Sequence, residues 1–244
     1  HPWIQSHSLI PEEITYPYRV FIDSHTGVTY VYDTRSQVGV VHTRRQSETD
    51  MRGMITPFRL IWSWMAQSVG GFVVHASAVK TKYGTAVFAG SSGSGKSTLA
   101  IEMALSGSQL ICDDCLWIEG NHCFPVFDRA KISFGNSAVD ALRRRGCELY
   151  RFDTNIDSKF FFNISSLNDS ATTPSEVSHL FFPRIWRSVE IMRTSSRSAL
   201  QQLASDSGRE LFGTGTRLFL RSAELCNGVK SSSLWVGQIG RAHV

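Results

Sequence analysis

The chain has 244 residues, 42% of them hydrophobic and 19% charged, and a formal net charge of +4. That length and apolar fraction suit one domain with a real core and at most a small appendage. The charge is mild, and its longest basic run, Arg143-Arg144-Arg145, falls in a predicted helix over 138–145. No nucleic-acid partner is therefore expected.

The longest apolar stretch, Phe58 to Val74, is broken by Arg59, Gln67 and Gly70-Gly71, so no membrane span is expected either. The five cysteines, an odd count without a signal peptide, point to reduced thiols in a cytoplasmic protein. Cys112-Asp-Asp-Cys115 has C-x-x-C spacing, but no second pair completes a zinc set. The chain opens at His1 and closes on Ile239-Gly-Arg-Ala-His-Val244, which reads like a translated sequencing adapter. The expected division is a small β-rich extension over 1–50, a main domain over 51–238 and a non-native tail over 239–244.

In chain order, Tyr18-Arg-Val-Phe-Ile22 and Val28-Thr-Tyr-Val-Tyr32 are β-branched and aromatic runs around a turn-rich spacer. They predict a hairpin, and Val38-Gly-Val-Val-His42 predicts a third strand. Thr56-Pro57 predicts a helix start, with Thr as N-cap and Pro at the first helical position. Leu60, Ile61, Trp64 and Met65 form its core-facing stripe, and Gly70-Gly71 ends it. Phe72 to Val79 predicts a strand carrying His75. A turn through Lys80–Gly84 then leads into Thr85-Ala-Val-Phe-Ala89, a short buried strand.

Next comes Gly90-Ser91-Ser92-Gly93-Ser94-Gly95-Lys96-Ser97-Thr98, which satisfies G-x-x-x-x-G-K-[ST]. Glycines let successive backbone N–H groups point into one concavity that accepts phosphate oxygens. Lys96 brings a mobile positive charge to the outer phosphates, and the Ser97 hydroxyl is placed to ligate Mg²⁺. A helix over 97–105, closed by Gly107, adds its positive N-terminal dipole. A strand, this loop and a helix in sequence distinguish the phosphate-binding motif from a Gly/Ser linker, so a nucleotide with Mg²⁺ is the expected occupant, and ATP is the one a kinase would use.

Gln109 to Ile118 predicts a core strand that delivers Asp113 and Asp114 to the phosphate end. A carboxylate there can hold Mg²⁺, directly or through water, or accept the proton of an attacking alcohol. In a regular strand only one of two adjacent side chains can face the nucleotide. Residues 123–127, 160–164, 179–182 and 189–192 are further strand candidates, and Ser195 to Ser205 is a predicted amphipathic helix.

His75-Ala-Ser-Ala-Val79, the Gly90–Thr98 loop, Gly107 and Asp113-Asp114 together resemble the catalytic core of bacterial HPr kinase/phosphorylase. The likeness covers residues 72 to about 118. It implies an α/β P-loop kinase core of the type shared with phosphoenolpyruvate carboxykinase. It also implies Asp114 as general base with His75 beside it, Ser97 on Mg²⁺, and Asp113 supporting the metal or its waters. The family's second signature, an acidic residue followed by Ile/Val-Arg-Gly-Leu-Gly, is absent. Reverse phosphorylase activity, HPr itself as substrate and hexameric assembly are therefore not carried over.

The chain looks more like the shorter HPr-kinase-like proteins, some of which phosphorylate a serine of a precursor peptide. His179-Leu-Phe-Phe-Pro-Arg-Ile185 is similar to a strand-and-Pro-Arg feature of those relatives, which makes Arg184 either a clamp on the transferred phosphoryl or a surface ion-pair residue. The resemblance thus implies a kinase acting on a serine or other hydroxyl of a protein or peptide, with homo-oligomerisation left open. Two alternatives stand beside it: a small-molecule hydroxyl kinase, and an ATP-binding regulator without acceptor-dependent turnover.

Overall fold

In the computed structural model, residues 17–23, 27–43, 56–153, 158–169, 173–210 and 215–237 are described. The proposed adapter-like tail lies outside them. The chain runs β1 (Tyr18–Asp23), β2 (Val28–Asp33), β3 (Val38–His42), α1 (Arg59–Ser68), β4 (Phe72–Val74), β5 (Ala76–Thr81), β6 (Gly84–Ala89) and α2 (Lys96–Leu105). It continues with β7 (Gln109–Cys112), β8 (Leu116–Glu119), β9 (His122–Pro125), β10 (Arg129–Ser133), α3 (Ala138–Arg144), β11 (Tyr150–Asp153) and β12 (Ser158–Asn163). The last elements are β13 (Ser175–Ile185), β14 (Glu190–Arg193), α4 (Ser196–Glu210), α5 (Gly215–Gly228) and β15 (Lys230–Val236). The protein is a mixed α/β chain with several sheets.

The main sheet has nine strands, with β4-β8-β9-β13-β6-β5-β7 in order and β15, then β14, continuing from β13. Its pairing is antiparallel except where β13 lies parallel to β6 and to β15. Apolar side chains are buried on both faces, as a covered sheet requires. On one face Ala78, Val87, Leu180 and Phe182 pack with Leu203 of α4 and Leu218 and Leu225 of α5. On the other, Val79, Phe88 and Leu110 pack with Ala100 and Ile101 of α2, Leu142 of α3, and Phe160 and Phe162 of β12. A three-stranded antiparallel sheet, β10-β12-β11, lies on this second face.

The N-terminal strands form their own antiparallel sheet, β1-β2-β3. Tyr32 packs against Ile61 and Trp64 of α1. Arg19 Nη1 donates to Gln67 Oε1 at 2.8 Å, a second tie to the same helix.

Three sequence expectations need correction. The α1 helix starts at Arg59, because Phe58 adopts a left-handed conformation (φ 57°) that ends the turn before it. Thr56 therefore does not cap it, and its hydroxyl instead accepts from Arg59 Nη2 at 3.2 Å. The expected strand over 72–79 is two strands, broken at His75. The expected strand over 109–118 is likewise two, broken across residues 113–115. These last two breaks share one cause: β4 and β8 pair with each other, while β5 and β7 pair with each other around a bulge. Each of the two segments leaves one pairing and enters the other, at residue 75 in the first and at 113–115 in the second.

Candidate functional site

The site lies where those two broken strands meet the glycine-rich loop. The loop follows β6, and Gly93 and Gly95 take φ values of 82° and 96° there, which side-chain-bearing residues rarely adopt. Gly95 is the residue before α2, so the unpaired N–H groups of that helix's first turn face the loop's hollow. Gly107, at φ 103°, ends α2 as expected, with Gly107 N donating to Ala104 O and Ser108 N to Met103 O, both at 3.0 Å. The buried Lys96 donates from Nζ to Gly90 O at 2.7 Å and to Ser91 O at 2.9 Å.

The broken strand resolves the alternation problem posed by adjacent carboxylates. Cys115 N donates back to Asp113 O at 2.9 Å, a tight turn with Asp114 at its apex and φ 70°. Aspartate is among the few residues that tolerate this region, at a cost on the order of 1–3 kcal/mol. With the strand interrupted, both carboxyl groups turn toward the loop side, and each finds a different set of partners.

Asp113 is almost fully buried and collects donors from three elements. Ser97 Oγ of α2 donates to its Oδ1 at 2.7 Å, and Ser77 Oγ of β5 donates to the same oxygen at 2.6 Å. Lys131 N of β10 donates to Oδ2 at 3.0 Å.

Asp114 sits against two cations and an imidazole. Lys131 Nζ is 2.8 Å from its Oδ1 and His75 Nε2 is 3.0 Å from the same atom. Arg59 Nη2, from the first residue of α1, bonds its Oδ2. Burial alone pushes the Asp114 carboxyl up. The Lys131 ammonium, the His75 hydrogen bond and the Arg59 guanidinium together outweigh it and hold the group well below the usual carboxylate range. Asp114 is thus a fixed, ionised carboxylate.

A cavity of about 530 Å³ opens over this cluster, lined by His75, Lys96, Ser97, Asp114, Lys131 and Ile185 among others. That volume lies within the range of small-molecule sites. Thr98, the last residue of the motif, also lines it and accepts from Asn136 Nδ2 at 3.4 Å. Lys159 of β12 faces the same space.

Residues 90–98 therefore fit a phosphate group: glycine φ values that a Cβ would strain, a helix N-terminus, and a buried Ser94 hydroxyl without a partner among the described residues. The Ser97 hydroxyl and Asp113 carboxylate, 2.7 Å apart, are the hard oxygen donors that suit Mg²⁺. Among the described residues no cluster of three or more His, Cys, Asp or Glu is arranged to hold a metal, so a cation here would take further ligands from phosphate and water. None of the five buried cysteines forms a disulfide.

Of the residues expected from sequence, His75, Lys96, Ser97, Asp113 and Asp114 lie together. Arg184 does not line that cavity. It lines an adjoining one of about 400 Å³ along the same loop, with Gly90, Ser91, Ser92 and Gly93, and the two cavities share Ser92, Gly93 and Ile185. Its Nη2 donates to Gln202 Oε1 at 3.3 Å. Sequence reasoning missed Arg59, Ser77 and Lys131. Two of them carried a signal. Ser77 stands two residues from His75, and Arg129-Ala-Lys-Ile-Ser133 alternates polar and apolar as a half-buried strand does.

Fold and site together define a mixed α/β protein with a glycine-rich loop between β6 and α2 and a paired-aspartate cluster beside it. No family model and no curated protein matches the chain. Among solved structures it is similar to the Hpr(Ser) kinase/phosphatase from Coxiella burnetii, with 15% identity and a TM-score of 0.31 over 70% of this chain and 79% of that one. No helix among the described residues is long and apolar enough to cross a membrane.

Proposed function

We propose that the protein is an ATP- and Mg²⁺-dependent kinase that phosphorylates a serine or other hydroxyl of a protein or peptide. One observation carries this reading. Asp114 is held ionised by His75 and Lys131 in the same cavity that the loop residues Lys96 and Ser97 line. A hydrolase needs only to place water, whereas a dedicated carboxylate beside the phosphate cradle suits an alcohol acceptor.

Each side chain has a task under this reading. Backbone N–H groups of residues 93–98 and Lys96 hold the phosphates, with the Lys96 ammonium exchanging the Gly90 and Ser91 carbonyls for phosphate oxygens. Ser97 and Asp113 hold Mg²⁺, which supplies charge neutralisation when bound. Asp114 aligns the acceptor hydroxyl and takes its proton as that oxygen becomes esterified. The ring of His75 keeps Asp114 oriented, and Lys131 offers positive charge to the transferred group. Arg184, bonded to Gln202 in the adjoining cavity, is assigned no step.

Incubation with labelled ATP, Mg²⁺ and a panel of serine peptides and hydroxylated metabolites tests the proposal. Transfer to peptide and its loss by about 10²-fold or more in Asp114→Asn, with nucleotide binding retained, is the expected result. Transfer unchanged in Asp114→Asn would remove the base assignment. Transfer to a metabolite alone would replace the peptide acceptor, and binding of ATP without acceptor-dependent turnover would leave a regulator.

A further inference from the structure

Beyond the cavity, one surface stands out. β14 pairs with β15 on one side, and among the described residues nothing pairs with its other edge. All four of its residues are exposed. Together with the preceding turn it displays Ile185, Trp186, Val189, Ile191 and Met192 at 52–72% exposure. Edge strands are normally blunted, and clustered exposed apolar side chains mark interaction sites.

The same stretch concentrates charge. From Arg184 to Arg197 it holds four arginines (Arg184, Arg187, Arg193, Arg197) against one acid, Glu190, so it carries +3 of the chain's net +4. Glu190 accepts from Ser188 Oγ at 3.1 Å.

The patch also runs into the cavity. Ile185 lines the space over Asp114. Ile185 pairs with Val236 and Ile191 with Leu234, so all four side chains share one sheet face. That face packs on α2, the helix that carries Lys96 and Ser97.

We propose that the open edge of β14 docks the acceptor, as a segment in which acidic residues alternate with apolar ones and which pairs as an added strand. This rests on the kinase reading above and names the class of its substrate. Backbone pairing supplies affinity, the apolar side chains fill alternate positions, and the arginines select acidic partners. An added strand lies three inter-strand spacings, about 14 Å, from β13. The acceptor serine must therefore stand at least about five extended residues away from the docked run.

The test uses a fluorescent peptide with the run Glu-Val-Glu-Leu-Glu-Val and one serine placed two or eight residues beyond it. The eight-residue spacing is expected to be phosphorylated with a KM at least tenfold lower than a version carrying Lys for Glu, and the two-residue spacing poorly. Arg187→Glu with Arg193→Glu should raise that KM tenfold or more at unchanged kcat, and the Lys-bearing peptide should recover it. Ile191→Asp, at a position 64% exposed, should do the same without reversing charge preference.

Transfer with a KM indifferent to these substitutions overturns the docking site. So does a dimer in sedimentation that Ile191→Asp disperses, because the edge then serves a second copy. Arginine-dependent binding to phosphatidylserine vesicles without any effect on peptide also overturns it. Anisotropy separates the two levels: peptide bound through Arg187 and Arg193 with no phosphate transferred supports docking and overturns the kinase reading alone.

Discussion

Two cationic side chains, Lys131 of β10 and Arg59 of α1, and the His75 ring between β4 and β5 converge on the Asp114 carboxylate, and this convergence has consequences in the protein without any ligand. The group lies below its ordinary value of 3.8 when folded, so it contributes stability above that value. The contribution is lost as pH falls through the folded pKa, beginning where the unfolded chain's carboxyl starts to protonate, below about pH 5. Urea midpoints measured in EDTA from pH 7 to pH 3 should therefore fall. Asp114→Asn should flatten that fall while lowering stability at pH 7 by about 3 kcal/mol, because Arg59 and Lys131 lose their counter-charge. Asp113 and Asp114 could be read from sequence because adjacent carboxylates in an apolar run need a metal or partner, and His75 only through the spacing it shares with the family the chain resembles. Arg59 could not. It reaches Asp114 across 55 positions, and nothing local distinguishes it from a solvated helix residue.

At the scale of elements, the site depends on backbone that departs from regular structure. Gly95 at φ 96° is a case where space is available but conformation is not: a Cβ there would meet Ile185 Cγ1 at an ordinary 3.8 Å. Gly95→Ala should cost about 1–2 kcal/mol of stability through the left-handed backbone alone. The relaxed loop should also bind ADP more weakly by calorimetry. The apolar runs over 72–79 and 109–118 read as continuous strands because hydrophobicity does not pause at residue 75 or at 113–115. What divides them is a change of pairing partner, a tertiary event with no local composition signal. The glycine loop and α2 were fully legible, because their chemistry is local: φ requirements, a helix N-terminus and a glycine stop. Helix α1 shows the opposite case, where a plausible Thr-Pro cap lost to a left-handed Phe58.

At the scale of the molecule, the N-terminal sheet reaches the site through α1. α1 is packed by Tyr32 through Trp64 and presents Arg59 to Asp114 from its first residue. Trp64→Ala, at a buried position, should cost about 3–5 kcal/mol. Hydrogen exchange should show protection lost first in β1–β3 and α1, with β6 and β13 retained. Which strands adjoin which was not legible, since β13 finds β9, β6 and β15 across long stretches of chain. That wiring has a temporal consequence. The loop's own strand, β6, waits for β13 to cover one side, and Thr85 N meets Ser178 Oγ 93 positions later. At about 5–20 residues per second of synthesis, β6 stays a bare edge for roughly 5–20 s on the ribosome. Chains halted before Ser175 should be captured by chaperones or aggregate, whereas chains released after Val236 should not. The glycine-rich loop is therefore one of the earlier pieces made and one of the last to be closed.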